Sequence, residues 1–250
     1  MATPIPMRSG NPALSAETFR GAPRALGDEA MTIQGTVNKT ALALLVLLVA
    51  AAYTWNLGVG DPRVPVFMMI GMIGGLVVAM VTIFKQTWAP ITTPMYAGLE
   101  GVALGGISAV FEARYPGLVS QAVFLTFGTL GALLMAYRSG LIKPTENFKL
   151  GVFAATGGIG LVYLLSFVMS MFGVSIPLIN SSSTFGILFS LFVVGIAAMN
   201  LVLDFDFIEQ GAARGAPKYM EWYGAFGLLV TLVWLYLEML RLLAKLQDRR

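Results

Sequence analysis

Asp204, Asp206 and Glu209 stand together in Leu201-Val202-Leu203-Asp204-Phe205-Asp206-Phe207-Ile208-Glu209-Gln210, off the end of an apolar run that begins near Phe185. Carboxylates carry protons and offer oxygen to cations. At membrane depth each costs about 2.5–3.5 kcal/mol at a helix centre, so such groups face a protein interior, a partner or a water path. Asp204 lies four residues after Asn200 and shares its helical face, whereas Asp206 is about 200° round from Asp204 and nearer to Glu209 and Gln210. Asp204, the deeper acid, is expected to face the interior while the others face water. The bland alternative is an acidic cap that merely ends the helix, although acids there oppose the macrodipole. Oxygen ligands suit hard cations better than soft ones.

Glu100 is the second buried-acid candidate, midway along an apolar stretch in Met95-Tyr96-Ala97-Gly98-Leu99-Glu100-Gly101. It either lines a pathway or is a protonated or hydrogen-bonded carboxyl that fixes one helix to another. Glu238 and Arg241 are three apart and can simply pair. The chain has no cysteine and no histidine, which removes disulfides, thiol nucleophiles, Cys/His metal sites and histidine acid/base chemistry. No Gly-x-Ser-x-Gly elbow occurs, and Asp-x-Asp spacing puts its two carboxyls on different faces, a poor aspartyl dyad. A non-enzymatic protein without cofactor is expected. A retinal protein is disfavoured because the last span has no mid-helix lysine, only Lys245 at its end.

These residues sit in a chain that is 57% hydrophobic and 12% charged, too little charge to clothe a soluble globule of 250 residues. Apolar runs predict seven transmembrane helices at about 39–57, 64–84, 91–111, 118–137, 151–172, 185–208 and 222–243, hence an all-α membrane bundle. Asp61-Pro62-Arg63, the stretch from Ser139 to Leu150 and Asn180-Ser181-Ser182-Ser183 read as loops. Trp55, Trp88 and Trp222 fall at span ends, where an amphipathic ring favours the headgroup region; Trp234 does not. Gly71, Gly74 and Gly75, the Gly101/Gly105 pair, and Gly157, Gly158 and Gly160 are expected to let helices of this chain approach closely.

Residues 1–38 read as a cytoplasmic tail, with a short helix around Ala16 to Arg20 and a lead-in Met31-Thr32-Ile33-Gln34-Gly35-Thr36-Val37. Residues 39–246 then form the membrane domain and 247–250 a basic C-terminal end. With the N-terminus inside, the inner side holds Arg8, Arg20, Arg24, Lys39, Lys85, Arg138, Lys143, Lys149, Arg214 and Lys218, against Arg63 and Arg114 in the first outer loops. Arg241, Lys245, Arg249 and Arg250 then fall outside, against the positive-inside rule.

Tyr96-Ala97-Gly98-Leu99-Glu100-Gly101 and Leu203-Asp204-Phe205-Asp206-Phe207-Ile208 resemble the Bax inhibitor-1 family, specifically its bacterial branch. Asn38-Lys39-Thr40, Phe84-Lys85-Gln86-Thr87-Trp88-Ala89-Pro90 and Ala216-Pro217-Lys218-Tyr219-Met220-Glu221-Trp222-Tyr223 strengthen the resemblance, which covers roughly residues 30–246. It implies six helices around a central seventh in a bacterial inner membrane. For some members it also implies a pH-sensitive calcium leak gated by an aspartate pair, which makes Asp204 and Asp206 the expected transient calcium contacts on a pathway, not a storage site, since calcium normally takes about six to eight oxygens. Asp204, four residues before Ile208, matches one aspartate of that pair; the other lies midway along the last helix, where Gly227 to Trp234 holds no acid. Counting back from Arg241, Thr231 is the nearest counterpart, and Asp206, Glu221 or Glu238 are the acids left to partner Asp204. Asn200, Asp204, Asp206, Glu209, Glu221 and Glu100 are thus the expected gating and pathway residues. The competing expectation is a non-transporting stress or quality-control regulator that binds another membrane protein, such as a protease, through the tail. The oligomeric state stays open, a monomer included.

Overall fold

The computed structural model describes residues 30–173, 179 and 181–249. The predicted tail helix near Ala16, three tail arginines (Arg8, Arg20 and Arg24), Asn180 and Arg250 lie outside the described residues. Seven long helices account for nearly all the rest: α1 (Ile33–Leu57), α2 (Arg63–Phe84), α3 (Ala89–Arg114), α4 (Leu118–Arg138), α5 (Glu146–Met171), α6 (Thr184–Ala213) and α7 (Met220–Asp248). A single 3₁₀ turn, Gln86–Trp88, leads into α3. All seven are long and apolar enough to cross a membrane.

Local chemistry sets the ends. The Thr32 hydroxyl caps α1 by accepting from the Gly35 amide at 2.9 Å, so α1 starts at Ile33 and absorbs most of the lead-in segment. Thr145 caps α5 in the same way, accepting from Phe148 at 3.3 Å. This moves the start of α5 back to Glu146 and takes Lys149 out of the expected loop. Gly58 (φ 75°) and Gly117 (φ 82°) supply the left-handed turns after α1 and before α4. Within spans, the hydroxyls of Thr36, Thr40, Thr82, Thr92 and Thr126 donate to the carbonyl one turn back, which keeps these five donors from facing hydrocarbon unpaired.

The described residues divide into two compact units. The first holds residues 30–116 and Phe207–Val230; the second holds Gly117–Asp206 and residues 231–249. Both α6 and α7 run from one unit into the other.

In the first unit, α3 packs against α1 and α2 through glycines. A Cβ at Gly101 would run into the Leu47 carbonyl and come within 2.9 Å of the Ala50 Cβ; one at Gly105 would run into the backbone of Ala51. Gly71 of α2 allows the Leu99 carbonyl and Ala103 to approach in the same manner. The Gly101/Gly105 pair is thus an intramolecular contact, as expected. Gly157, Gly158 and Gly160 are not: nothing lies within 4 Å of a Cβ added at any of them, because that face of α5 turns away from its neighbours.

In the second unit the apolar core is Ile159, Val193 and Ile196, with Tyr163, Phe189 and Trp234 against it, which explains a tryptophan away from any span end. Burial separates the spans. Half or more of the apolar window is buried in α3 (50%), α6 (56%) and α7 (61%), against 11–17% in α1, α2, α4 and α5. Leu76, Phe124, Met135, Leu161 and Phe167, all exposed, belong to the latter four helices and face lipid.

Glycine packing of α3 yields a direct expectation. Gly105→Leu should destabilise the protein by at least about 1–3 kcal/mol, because backbone must move to admit the side chain. Gly158→Leu should leave stability within about 0.5 kcal/mol. Thermal melts of both variants in one detergent check the contrast.

Candidate functional site

Lys149, Thr156 and Tyr163 recur every seven residues and so share one face of α5. Each meets a polar group from α6 or α7 within the second unit. The Lys149 ammonium lies 2.8 Å from the Asp206 carboxylate and 3.4 Å from that of Glu146. Thr156 accepts from the Asn200 amide at 2.8 Å. The Tyr163 hydroxyl donates to Glu238 at 2.8 Å and accepts from Arg241 at 2.7 Å. Arg241 also bonds Glu238 at 2.8 and 3.1 Å and stacks over the Tyr163 ring, so the pair expected from their spacing forms with a third member. Further along α7 the buried Lys245 ammonium donates to the Ser190 hydroxyl at 2.8 Å and the Gly186 carbonyl at 3.0 Å. Lys245 is thus buried on neutral oxygens, whereas Arg241, its side chain 38% exposed, is held by Glu238 and Tyr163.

The acids of α6 are graded by depth. Asp204 is fully buried, the Asp206 side chain is 18% exposed and Glu209 is exposed. The interior placement expected of Asp204 holds. The reading of an acidic cap does not, because α6 continues to Ala213 and all three acids lie within it. Thr231, at the position where a second aspartate was sought, is buried in the same unit.

The three acids considered as partners for Asp204 each sit on a base. Asp206 is on Lys149 and Glu238 on Arg241. Glu221, in the first unit, bonds Lys39 and Lys218. Among the described residues no group of three or more acids is placed to hold a metal ion.

Glu221 is a latch. Its buried carboxylate accepts from the Thr32 amide and hydroxyl, both at 2.9 Å, from Lys39, and from Lys218 at 3.1 Å. The same corner holds the Met31 amide on the Ala216 carbonyl at 2.6 Å and the Thr93 hydroxyl on the Trp222 carbonyl at 3.1 Å. Gly35 is required there, since a Cβ would strike the Glu221 carboxylate. The arrangement binds the start of α1 to the start of α7 and gives Glu221 a structural task. Glu100, partly exposed, lies over Gly75 of α2, its Oε2 2.7 Å from where a Cβ would stand. Asp61, in the loop before α2, is held at about 2 by its bonds from Arg63, so it stays charged and is no pH sensor.

Sequence reading missed Lys149, Thr156, Tyr163, Ser190 and Thr32. The signal was present: polar residues at seven-residue intervals inside an apolar run are expected to face protein, not lipid.

The family profile described as Bax inhibitor 1 like matches residues 11–248. The chain belongs to this family. No curated protein and no solved structure was found to match it. The buried Asp204 and the paired Asp206 thus sit in a membrane-embedded helical protein of the Bax inhibitor 1 like family.

For the latch, Glu221→Gln should cost about 1–3 kcal/mol, since it removes the charge that receives two ammonium groups while keeping the shape. Melting temperature in detergent checks it, with Glu209→Gln, at an exposed position, expected to be nearly silent.

Proposed function

We propose that this protein is a pH-sensitive cation leak, with calcium as the expected ion, whose gate lies where α5 begins and α6 passes Asp204 and Asp206. The observation that carries the reading is the Lys149–Asp206 pair beside a fully buried Asp204, on helices otherwise built for lipid and core. In the closed form the Lys149 ammonium occupies the position at Asp206 that a permeant cation would take. Glu238 carries Arg241 in the same way further along α7. A divalent cation must displace a tethered one, and proton uptake by a carboxylate releases its ammonium, so ion and proton act on the same contacts.

The family resemblance supports an orientation with the N-terminus in the cytoplasm of a bacterial inner membrane and the α6 acids at the inner mouth. The carboxylates act there as transient calcium contacts and no resident cofactor or catalysis is invoked.

The test is flux. Full-length protein in liposomes loaded with a calcium dye should leak calcium at a rate that changes with pH, and Asp204→Asn should flatten that dependence. Folded wild type without flux at any pH would sink the reading and favour a stress or quality-control regulator that acts on another membrane protein.

A further inference from the structure

Asn200 is buried at 1% exposure in α6, and its two amide hydrogens are both engaged, one on Thr156 at 2.8 Å and one on the Ile196 carbonyl at 2.9 Å. Its own carbonyl oxygen receives no hydrogen bond from the described residues. Turning the amide over does not help, because the oxygen would then face the Ile196 carbonyl. Thr156 accepts from Asn200, and its hydroxyl proton has no acceptor among the described residues. One acceptor and one donor are therefore left over side by side, with Nδ2 and Oγ1 already 2.8 Å apart. A single water molecule is the complement of that pair: it donates to the Asn200 oxygen and accepts from the Thr156 hydroxyl. Leaving the buried Asn200 oxygen unsatisfied would be costly, and the half-buried Thr156 hydroxyl stands next to it.

Position gives the site a use. Asn200 is one helical turn deeper than Asp204 on the same face of α6, and Thr156 is the middle residue of the α5 stripe between Lys149 and Tyr163. Both groups offer neutral oxygen, the ligand type that a hard cation accepts in exchange for hydration water. We propose that Asn200 and Thr156 form a buried hydration site in which a permeant cation exchanges water for protein oxygen. The cation half of this inference rests on the leak reading; the hydration half does not. Glycines at 157, 158 and 160 beside Thr156 leave α5 without side-chain bulk near this turn.

Two measurements separate the halves. The first is a structure of the full chain in lipid, at a resolution that shows ordered water. Density within hydrogen-bond distance of both Asn200 Oδ1 and Thr156 Oγ1 is expected, and a dry, well-ordered amide would overturn the site whatever the flux. The second is calcium flux from dye-loaded liposomes for Thr156→Val, which keeps the shape and removes the hydroxyl, with Asn200→Leu beside it. Each should slow flux roughly tenfold, and Thr156→Ser should restore it. Wild-type rates in Thr156→Val would overturn the exchange step. Density at the site in a wild type that carries no cation would uphold the hydration site and overturn the exchange step together with the leak reading.

Discussion

A polar group inside a bilayer-spanning segment has no water to fall back on, and most of this molecule's specific features follow from that constraint. Threonine hydroxyls turn back onto their own helices. Lys149, Asp206, Tyr163, Glu238, Arg241 and Lys245 find one another or a carbonyl instead. Taken singly, each charged group would weaken its span. Taken in pairs, they fix the rotation of α5 against α6 and α7, because a helix turned by a quarter would strand an ammonium in hydrocarbon. Buried ion pairs are seldom a large net source of stability, but they penalise every alternative packing, and here that penalty selects the register.

The two units solve the packing problem by different means. In the first, glycine removes side chains so that α3 reaches the backbone of α1, and the Glu221 latch then closes the corner where α1 and α7 start. In the second, few glycines meet anything; large apolar side chains around Ile159 and Val193 fill the centre and polar pairs run beside them. Dispersion at short range does the work in one and partner geometry in the other. The proposed hydration site at Asn200 and Thr156 lies in the second kind of packing, among discrete polar contacts.

How far the sequence could be read follows the same division. Seven spans were legible because a run of apolar residues long enough to cross a bilayer has few other uses, and their ends erred where a threonine cap or a buried charge extended the helix. Ile33 to Asn38 and Glu146 to Leu150 are both of this type. The interior position of Asp204 followed from depth and helical phase. Lys149 was misread as a loop charge, since hydropathy counts an ammonium against a span and cannot register that Asp206, far along the chain, neutralises it. The part of Glu221 was hidden for the same reason: its donors come from Thr32 and Lys39, remote in sequence. The open faces of Gly157, Gly158 and Gly160 show the opposite error, as glycine spacing alone does not say whether a neighbour is present.

The Lys149–Asp206 pair is the contact on which the proposed gate and the helix register both turn, and exchanging its charges tests it most directly. Lys149→Asp and Asp206→Lys would each place two like charges together, and the double variant would restore an opposite pair in reversed order. The account predicts that each single variant melts lower and leaks calcium faster in liposomes than wild type, while the double variant recovers most of both losses. A double variant no better than the sum of the singles would show that the two side chains do not act as a pair and would contradict the account.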